Sequence, residues 1–401
     1  MKKMFLLSLV VSNQLMASTF TPKQLAALAE ERAPLIKMQM ETVNSATSQI
    51  SQSRTLANPI FAVQSGSIKS ATQSGAVMDL TLNQPLPWPG KRSAAINVSE
   101  SLKKIAEVDL LESKVLINNS VSLLSLEVAT LIELEKHHDD RKKRFSLIQK
   151  FLTSRPMVSP KLVIEKNLIE TQIRLVENLM LELTARKKSL LNQLSVLTGE
   201  KDPQILVNWS QAIQPYELEF YLGQLENGPR IKRSNHLQQY AANKVDEARL
   251  LARPDILVGV NYRQENVAPV NHFYHAQVAV VLPILDRGQH TVEMAKANVR
   301  REEANKKLVT QESINLLNDY YQNLQAAYRS TLMFKISDIK EIEKRFVEAE
   351  DAFRKGRIDA MTFLQTDTQI HESIDLAYTS YLKFYNSVGQ INGITGQKMD
   401  I

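Results

Sequence analysis

Residues 78–92 read Met78-Asp79-Leu80-Thr81-Leu82-Asn83-Gln84-Pro85-Leu86-Pro87-Trp88-Pro89-Gly90-Lys91-Arg92, and residues 278–289 read Val278-Ala279-Val280-Val281-Leu282-Pro283-Ile284-Leu285-Asp286-Arg287-Gly288-Gln289. Each is an alternating strand that runs into a proline-bearing bend and then opens a proline-free segment. Each is also preceded by a partner strand: Asn58-Pro59-Ile60-Phe61-Ala62-Val63 in one case, Arg253-Pro254-Asp255-Ile256-Leu257-Val258 in the other. Period-2 alternation marks strands with two unlike faces. Ile256, Val258, Val260 and Tyr262 oppose Asp255, Leu257, Gly259, Asn261 and Arg263, while Met78, Leu80 and Leu82 oppose Asp79, Thr81 and Asn83. Tyr274, Ala276, Val278 and Val280 oppose His275, Gln277 and Ala279. Strands of roughly nine to eleven residues suit a tilted bilayer crossing.

The plan occurs twice. At an offset of 195, Pro34 meets Pro229, Ile36 meets Ile231, Arg54 meets Arg249, Ala57 meets Ala252, Pro59 meets Pro254 and Val63 meets Val258. Leu86-Pro87 meets Leu282-Pro283 and Leu197-Thr198-Gly199 meets Ile394-Thr395-Gly396 with a drift of one or two residues. A unit of about 200 residues is therefore duplicated.

Long helices fill the rest. Thr21-Pro22-Lys23-Gln24 is a capped helix start, and residues 91–152 contain neither proline nor glycine. Leu110, Ile117, Leu124 and Leu131 repeat every seven residues, as do Leu162, Ile169, Val176, Leu183, Leu190 and Leu197 after the break at Arg155–Pro160. Sustained heptads predict antiparallel coiled-coil hairpins. The expected organisation is a signal peptide over 1–17, a first repeat over 18–199, an irregular equatorial connector over 200–225 and a second repeat over 226–401. Strands are expected near 58–66, 76–86, 255–264 and 274–283. Helices are expected near 21–57 (kinked at Pro34), 91–152, 160–198, 226–252, 288–354 and 359–395.

Composition narrows the function. Hydrophobic residues make up 43% and charged residues 23% of 401, the balance of a folded chain. The net charge of +6 is interspersed rather than clustered, which predicts a solvated surface and no nucleic-acid partner. There is no cysteine, hence no disulfide, thiolate nucleophile or lipidated terminus. Lys2-Lys3, a short apolar run and Ala17-Ser18 describe an export signal. No later stretch reads as a membrane-spanning helix, so a membrane crossing falls to the strands.

Catalytic motifs are not found. Gly90-Lys91 lacks the earlier glycine of a phosphate loop, and His371-Glu372 lacks the second histidine of a zinc-protease helix. His137-His138-Asp139-Asp140 reads as a solvated helix face, because adjacent helical residues point apart. His272 and His275 flank the second strand loop, where they could meet cations. The reading is of a non-enzyme without cofactor or metal.

Four strands cannot close a barrel, and an open sheet edge in hydrocarbon leaves N–H and C=O groups unpaired at several kcal/mol each. Strands that cross a bilayer here need other copies of the chain. Three copies supply twelve strands, with Asp79, Thr81, Asn83, Asn261, Arg263, His275 and Gln277 toward the lumen.

This layout resembles the TolC-type outer-membrane efflux proteins. The resemblance is carried by Ala33-Pro34 with Ala57-Asn58-Pro59, by Gln84 through Arg92, by Arg253-Pro254-Asp255, by Leu282 through Gly288, by Phe353-Arg354-Lys355-Gly356-Arg357-Ile358-Asp359 and by both Thr-Gly helix ends. The Trp88-to-Arg92 bend is most similar to the heavy-metal-efflux branch. The resemblance implies a mainly α protein with a membrane β part, one third of a trimeric 12-stranded β-barrel that continues as a periplasmic α-barrel. It implies a passive duct for drug, metal or polypeptide export, working with a periplasmic adaptor and an inner-membrane pump. The docking tips would hold Arg155, Met157, Ser159, Arg354, Gly356, Arg357 and Asp359. The tunnel constriction, acidic in the best-known members, falls on uncharged Thr362 and Gln365, with Asp359 and Asp367 out of register. A second class of function, a periplasmic coiled-coil adaptor or scaffold without a pore, is the alternative.

Overall fold

A computed structural model of the chain describes residues 19–69, 73–154, 159–209, 212–280 and 282–399. The expected signal peptide, the tip residues Arg155 and Met157, and Val281 lie outside the described residues. In chain order the elements are β1 (Thr19–Phe20), α1 (Pro22–Arg32), α2 (Pro34–Arg54), β2 (Ile60–Lys69), β3 (Ser74–Leu86), α3 (Lys91–Thr153), α4 (Pro160–Thr198) and β4 (Gln204–Ile205). Then come α5 (Leu218–Gln224), α6 (Pro229–Leu251), β5 (Ile256–Asn266), β6 (Asn271–Val280), α7 (Gln289–Met333), α8 (Ile339–Arg354) and α9 (Ala360–Thr395).

Local chemistry sets the helix ends. The Thr21 hydroxyl accepts from the Gln24 amide while the Gln24 side chain accepts from the Thr21 amide, a reciprocal cap that opens α1. Pro22, Pro34, Pro160 and Pro229 each stand at the first turn of a helix, where the missing N–H costs nothing. The chain bends at Ala33, which lies between α1 and α2. Gly90 and Gly288 hold left-handed φ of 94° and 70° at the starts of α3 and α7, and Gly199 and Gly396 do so at the ends of α4 and α9. Left-handed glycines thus open α3 and α7 and close α4 and α9.

α3 has 63 residues, about 94 Å at 1.5 Å per residue, and is the spine of the molecule. It is also apolar enough over one window to pass as a membrane span, contrary to the sequence reading. That window is mostly buried inside the protein. α1, the start of α2 and α4 pack on one side of it through Leu25, Ile36, Val121, Val128, Leu190 and Leu194. α7 and α9 form a second core through Leu126, Leu317, Leu324, Phe384 and Ile391. A third, lower core joins α3, α4, α8 and α9 through Phe145, Ile169, Phe346, Phe363 and Ile374.

The structure departs from the sequence reading in three further places. The expected helix over 288–354 is broken: α7 stops at Met333, Phe334 leaves the helical region, and a 3-10 turn over Ile336–Asp338 leads into α8. No proline or glycine marks this break. Ile336 packs against two of the cores there, so tertiary packing overrides helix propensity. The join over 200–225 is more ordered than expected. β4 pairs in parallel with β1, α5 follows, and Trp209 packs edge-on to Tyr378 and Tyr381 of α9. Finally, β6 stops at Val280, short of Leu282 and Pro283, where proline has no N–H for the ladder, and the four long strands run two or three residues further toward their loops than the alternation indicates. Ser, Gly and Asn residues there blur the pattern, but ladder hydrogen bonds hold them extended.

A Cβ on Gly288 would lie 2.7 Å from the Ala252 Cβ, on a backbone already at positive φ. Gly288→Ala should therefore lower stability by about 1–3 kcal/mol. A matched Gly223→Ala control, at a glycine with open space around it, should cost little. Equal thermal midpoints for the two variants would contradict this account of the bend.

Candidate functional site: a two-faced sheet over a helical hairpin array

β2, β3, β5 and β6 form one antiparallel sheet in that order, so the two hairpins meet edge to edge at the β3–β5 pair. The register places unlike residues on the two faces. Asp79 pairs with Gln64 and Arg263, Thr81 with Asn261, Asn83 with Gly259, Asn261 with His275, and Gly259 with Gln277. Directly paired residues share a face, so all seven expected lumen residues are on one side of the sheet.

That polar face is knitted across strands. The Asn261 amide donates to the Thr81 hydroxyl at 2.7 Å, and the Gln277 amide donates to the Asn83 side-chain oxygen at 2.5 Å. The second bond spans β5, which is possible because the intervening residue is Gly259: a Cβ there would sit 1.9 Å from the Asn83 oxygen. Arg263 pairs with Glu265 on the same face at 2.8 Å.

The opposite face carries Phe61, Val63, Leu80, Leu82, Val258, Val260, Tyr262, Tyr274, Ala276 and Val278. It is bare. Phe61 is 64% exposed, Val260 58%, Val278 69% and Tyr274 79%. Near the loop end Tyr262 stacks on His272 and its hydroxyl lies 2.7 Å from the His272 Nδ1. His272 therefore points to the apolar side and His275 to the polar side, so the two do not converge on a cation. A bare apolar surface of this extent signals a hydrophobic partner phase or protein. β2 and β6 are edge strands, each with one side of its backbone unpaired among the described residues.

Sheet and helices are joined through Asp255, the last residue before β5. Its carboxylate accepts from the Trp88 amide at 3.1 Å and pairs with the Lys91 ammonium at 2.8 Å. Lys91 is thus committed to a joint between the start of α3 and the start of β5, not to a phosphate.

At the far end, α8 leads to Gly356 at φ 71°, and Asp359 caps α9 by accepting from the Thr362 amide at 2.8 Å. Arg354 pairs with Glu350 at 2.6 Å and lies over the Phe151 ring. Arg357, Thr362 and Gln365 are exposed, and Ser159 caps α4 through the Leu162 amide. Asp367 is fully buried, held by Arg141 through Nε at 3.0 Å, so it does not face a channel.

Sequence reasoning missed one polar group. His137 and His138 are buried, not solvated, and the fold brings them against His371, with ring centroids 4.5 and 5.9 Å from it. Only Asp139 and Asp140, paired with Lys143, remain on the wet face. The i, i+4 spacing of Asp367 and His371 was the available signal.

No protein-family model and no curated protein sequence matches the chain. Solved structures do. The Campylobacter jejuni CmeC outer membrane channel superimposes with a TM-score of 0.73 at 15% identity, covering 94% of this chain and 85% of that one. The outer membrane protein VceC of Vibrio cholerae gives 0.73 at 14%, covering 94% and 97%. The open-state MtrE outer membrane channel of Neisseria gonorrhoeae gives 0.67 at 12%, covering 94% and 89%. Over nearly its whole length, then, this chain has the TolC-type outer-membrane channel fold.

Proposed function

We propose that the protein is the outer-membrane duct of a tripartite export system, a homotrimer in which each chain supplies four of twelve barrel strands. The observation that carries this reading is the sheet: one bare apolar face, one polar face, and two unpaired edges in a single four-stranded unit. Lipid would cover the first, water the second, and neighbouring copies the third, which satisfies backbone and side chains together. A periplasmic adaptor or scaffold would have no use for the apolar face, so that alternative is set aside.

In this reading Asp79, Thr81, Asn83, Asn261, Arg263, His275 and Gln277 line the barrel lumen. The long helices of three copies continue the tube into the periplasm. Their hairpin tips, with Ser159, Arg354, Gly356, Arg357 and Asp359 together with Arg155 and Met157, would dock a periplasmic adaptor that links to an inner-membrane pump. Thr362 and Gln365 stand where the tube narrows. Their lack of charge makes closure a matter of packing rather than of an acidic ring. The duct does no bond chemistry; it supplies a wet path for cargo that the pump delivers.

Neighbouring residues on opposite faces test the reading. Val260→Arg puts a charge into lipid at a cost of about 2–4 kcal/mol near the bilayer midplane, and should sharply reduce outer-membrane yield on sucrose-gradient fractionation. Asn261→Arg should insert normally and shift single-channel conductance toward anions. Equal insertion of both variants, or recovery of the wild type in the soluble periplasm, would overturn the duct. At the tips, Arg354→Glu and Arg357→Glu should reduce export by a coexpressed pump while leaving trimers intact by size-exclusion chromatography. Unaltered export would remove these residues from the docking surface.

A further inference from the structure

The apolar face of the sheet is recessed, and the duct described above makes no use of the recess. One row across the strands reads Phe61, Leu82, Val260 and Ala276. The next row of that face toward the loops reads Val63, Leu80, Tyr262 and Tyr274. Ala276 is the smallest side chain of these two rows and stands at the foot of the two tyrosines, whose ring centroids are 5.3 Å apart. The step from tyrosine down to alanine opens a recess of about 450 Å³. Leu82, Val260 and Ala276 form its floor, with Phe61 on one side and the tyrosine pair on the other. Such a concavity offers an apolar guest contacts that a flat sheet cannot.

Its height on the sheet identifies the guest. A strand rises about 3.3 Å per residue, which a tilt near 40° reduces to about 2.5 Å along the barrel axis. Ile256 to Gln264 is then about 20 Å, close to the roughly 25 Å apolar band of a membrane barrel. Val260 is midway along that stretch, so the recess would lie among acyl chains. Met78, Gln264 and His272 form the row at its outer edge, away from the helices. Further toward the loops, the same face of β2 carries Lys69 opposite Ser74. Lys69 is the only charged side chain of this face among the described residues.

The polar groups at that edge can take an anion. Tyr262 gives its hydroxyl proton to His272 Nδ1 at 2.7 Å, since the Gln264 oxygen is at 3.4 Å. The His272 ring proton is then on Nε2, which has no hydrogen-bond partner among the described residues, and the Lys69 ammonium has none either. We propose that the recess seats an acyl chain of a phosphate-bearing lipid of the outer leaflet, and that Lys69 and His272 Nε2–H receive its phosphate.

Charge and position together select this guest. A zwitterionic headgroup brings its own ammonium into competition with Lys69, whereas a lipid whose phosphates are its only charges presents acceptors alone. β2 and β6 are the sheet edges, so in the closed barrel Lys69 of one copy and His272 of the next come to the same seam. A lipid held there touches two copies at once. The outer-leaflet placement and the seam rest on the duct reading; the recess and its polar rim do not.

Native mass spectrometry of full-length trimers, purified from outer membranes and stripped of lipid by detergent exchange, tests this. The probe is a diphosphorylated, acylated glucosamine disaccharide, with its dephosphorylated form as the control. Discrete adducts should form, the phosphorylated probe binding about tenfold more tightly, the size of one charge-assisted hydrogen bond. Ala276→Leu fills the recess and should abolish the adducts at equal probe concentration. Val278→Leu, on the same face outside the recess, should leave them unchanged. Lys69→Gln should bring the two probes closer together in affinity. Adducts that survive Ala276→Leu, or that form equally with both probes, overturn the seat. Should Ala276→Leu not assemble, the Lys69→Gln comparison decides alone: an undiminished phosphate preference overturns the seat. A chain that never reaches the outer membrane as a trimer contradicts the duct, whereas intact trimers without adducts contradict the seat alone.

Discussion

Every backbone N–H and C=O that enters hydrocarbon must find a partner within the protein, and the function proposed for this chain follows from that requirement. A four-stranded sheet satisfies its inner strands and leaves one side of β2 and one side of β6 open. In the proposed duct, lipid meets its bare apolar face and water its polar one. Closure with further copies satisfies all of these conditions at once. The helices inherit the geometry, because each strand pair delivers the chain through a left-handed glycine into a long helix.

The joint between the two regimes is small and specific. Asp255 gathers the Trp88 amide and the Lys91 ammonium, so the bend before α3 is fastened to the start of β5. Gly288 lets the second bend approach Ala252. The Gln277 amide donating to Asn83 over Gly259 adds a side-chain bond across the three strands whose ladders set the register. These contacts explain why Trp-Pro-Gly-Lys-Arg, Arg-Pro-Asp and Asp-Arg-Gly occur where they do: each supplies the turn, the cap or the ion-pair partner that the next segment needs.

Much of this could be read from the residues. Alternation in 78–83 and 256–263 separated the two faces correctly, since period-2 placement survives any tertiary context. The heptads of α3 and α4 and the glycines at 90, 199, 288 and 396 announced long hairpins and their ends. The break after Met333 was not legible, because Phe334 and Lys335 are ordinary helix residues and the chain leaves the helix only to pack Ile336 and Phe346. The burial of His137 and His138 was hidden for a related reason. Two adjacent histidines followed by two aspartates look wet in one dimension, and only the approach of α8 and α9 encloses them. Asp367, which the sequence reading set out of register with the constriction, is the buried partner of Arg141.

The central claim is that three chains complete one another through the free edges of β2 and β6. The sequence contains no cysteine, so engineered thiols report without background. Single cysteines placed along Ile60–Lys69, each combined with one along Asn271–Val280, should at matched positions yield a covalent ladder ending at three chains under mild oxidation in outer-membrane preparations. A ladder that never forms at any pairing, with the protein remaining a monomer, would contradict the account.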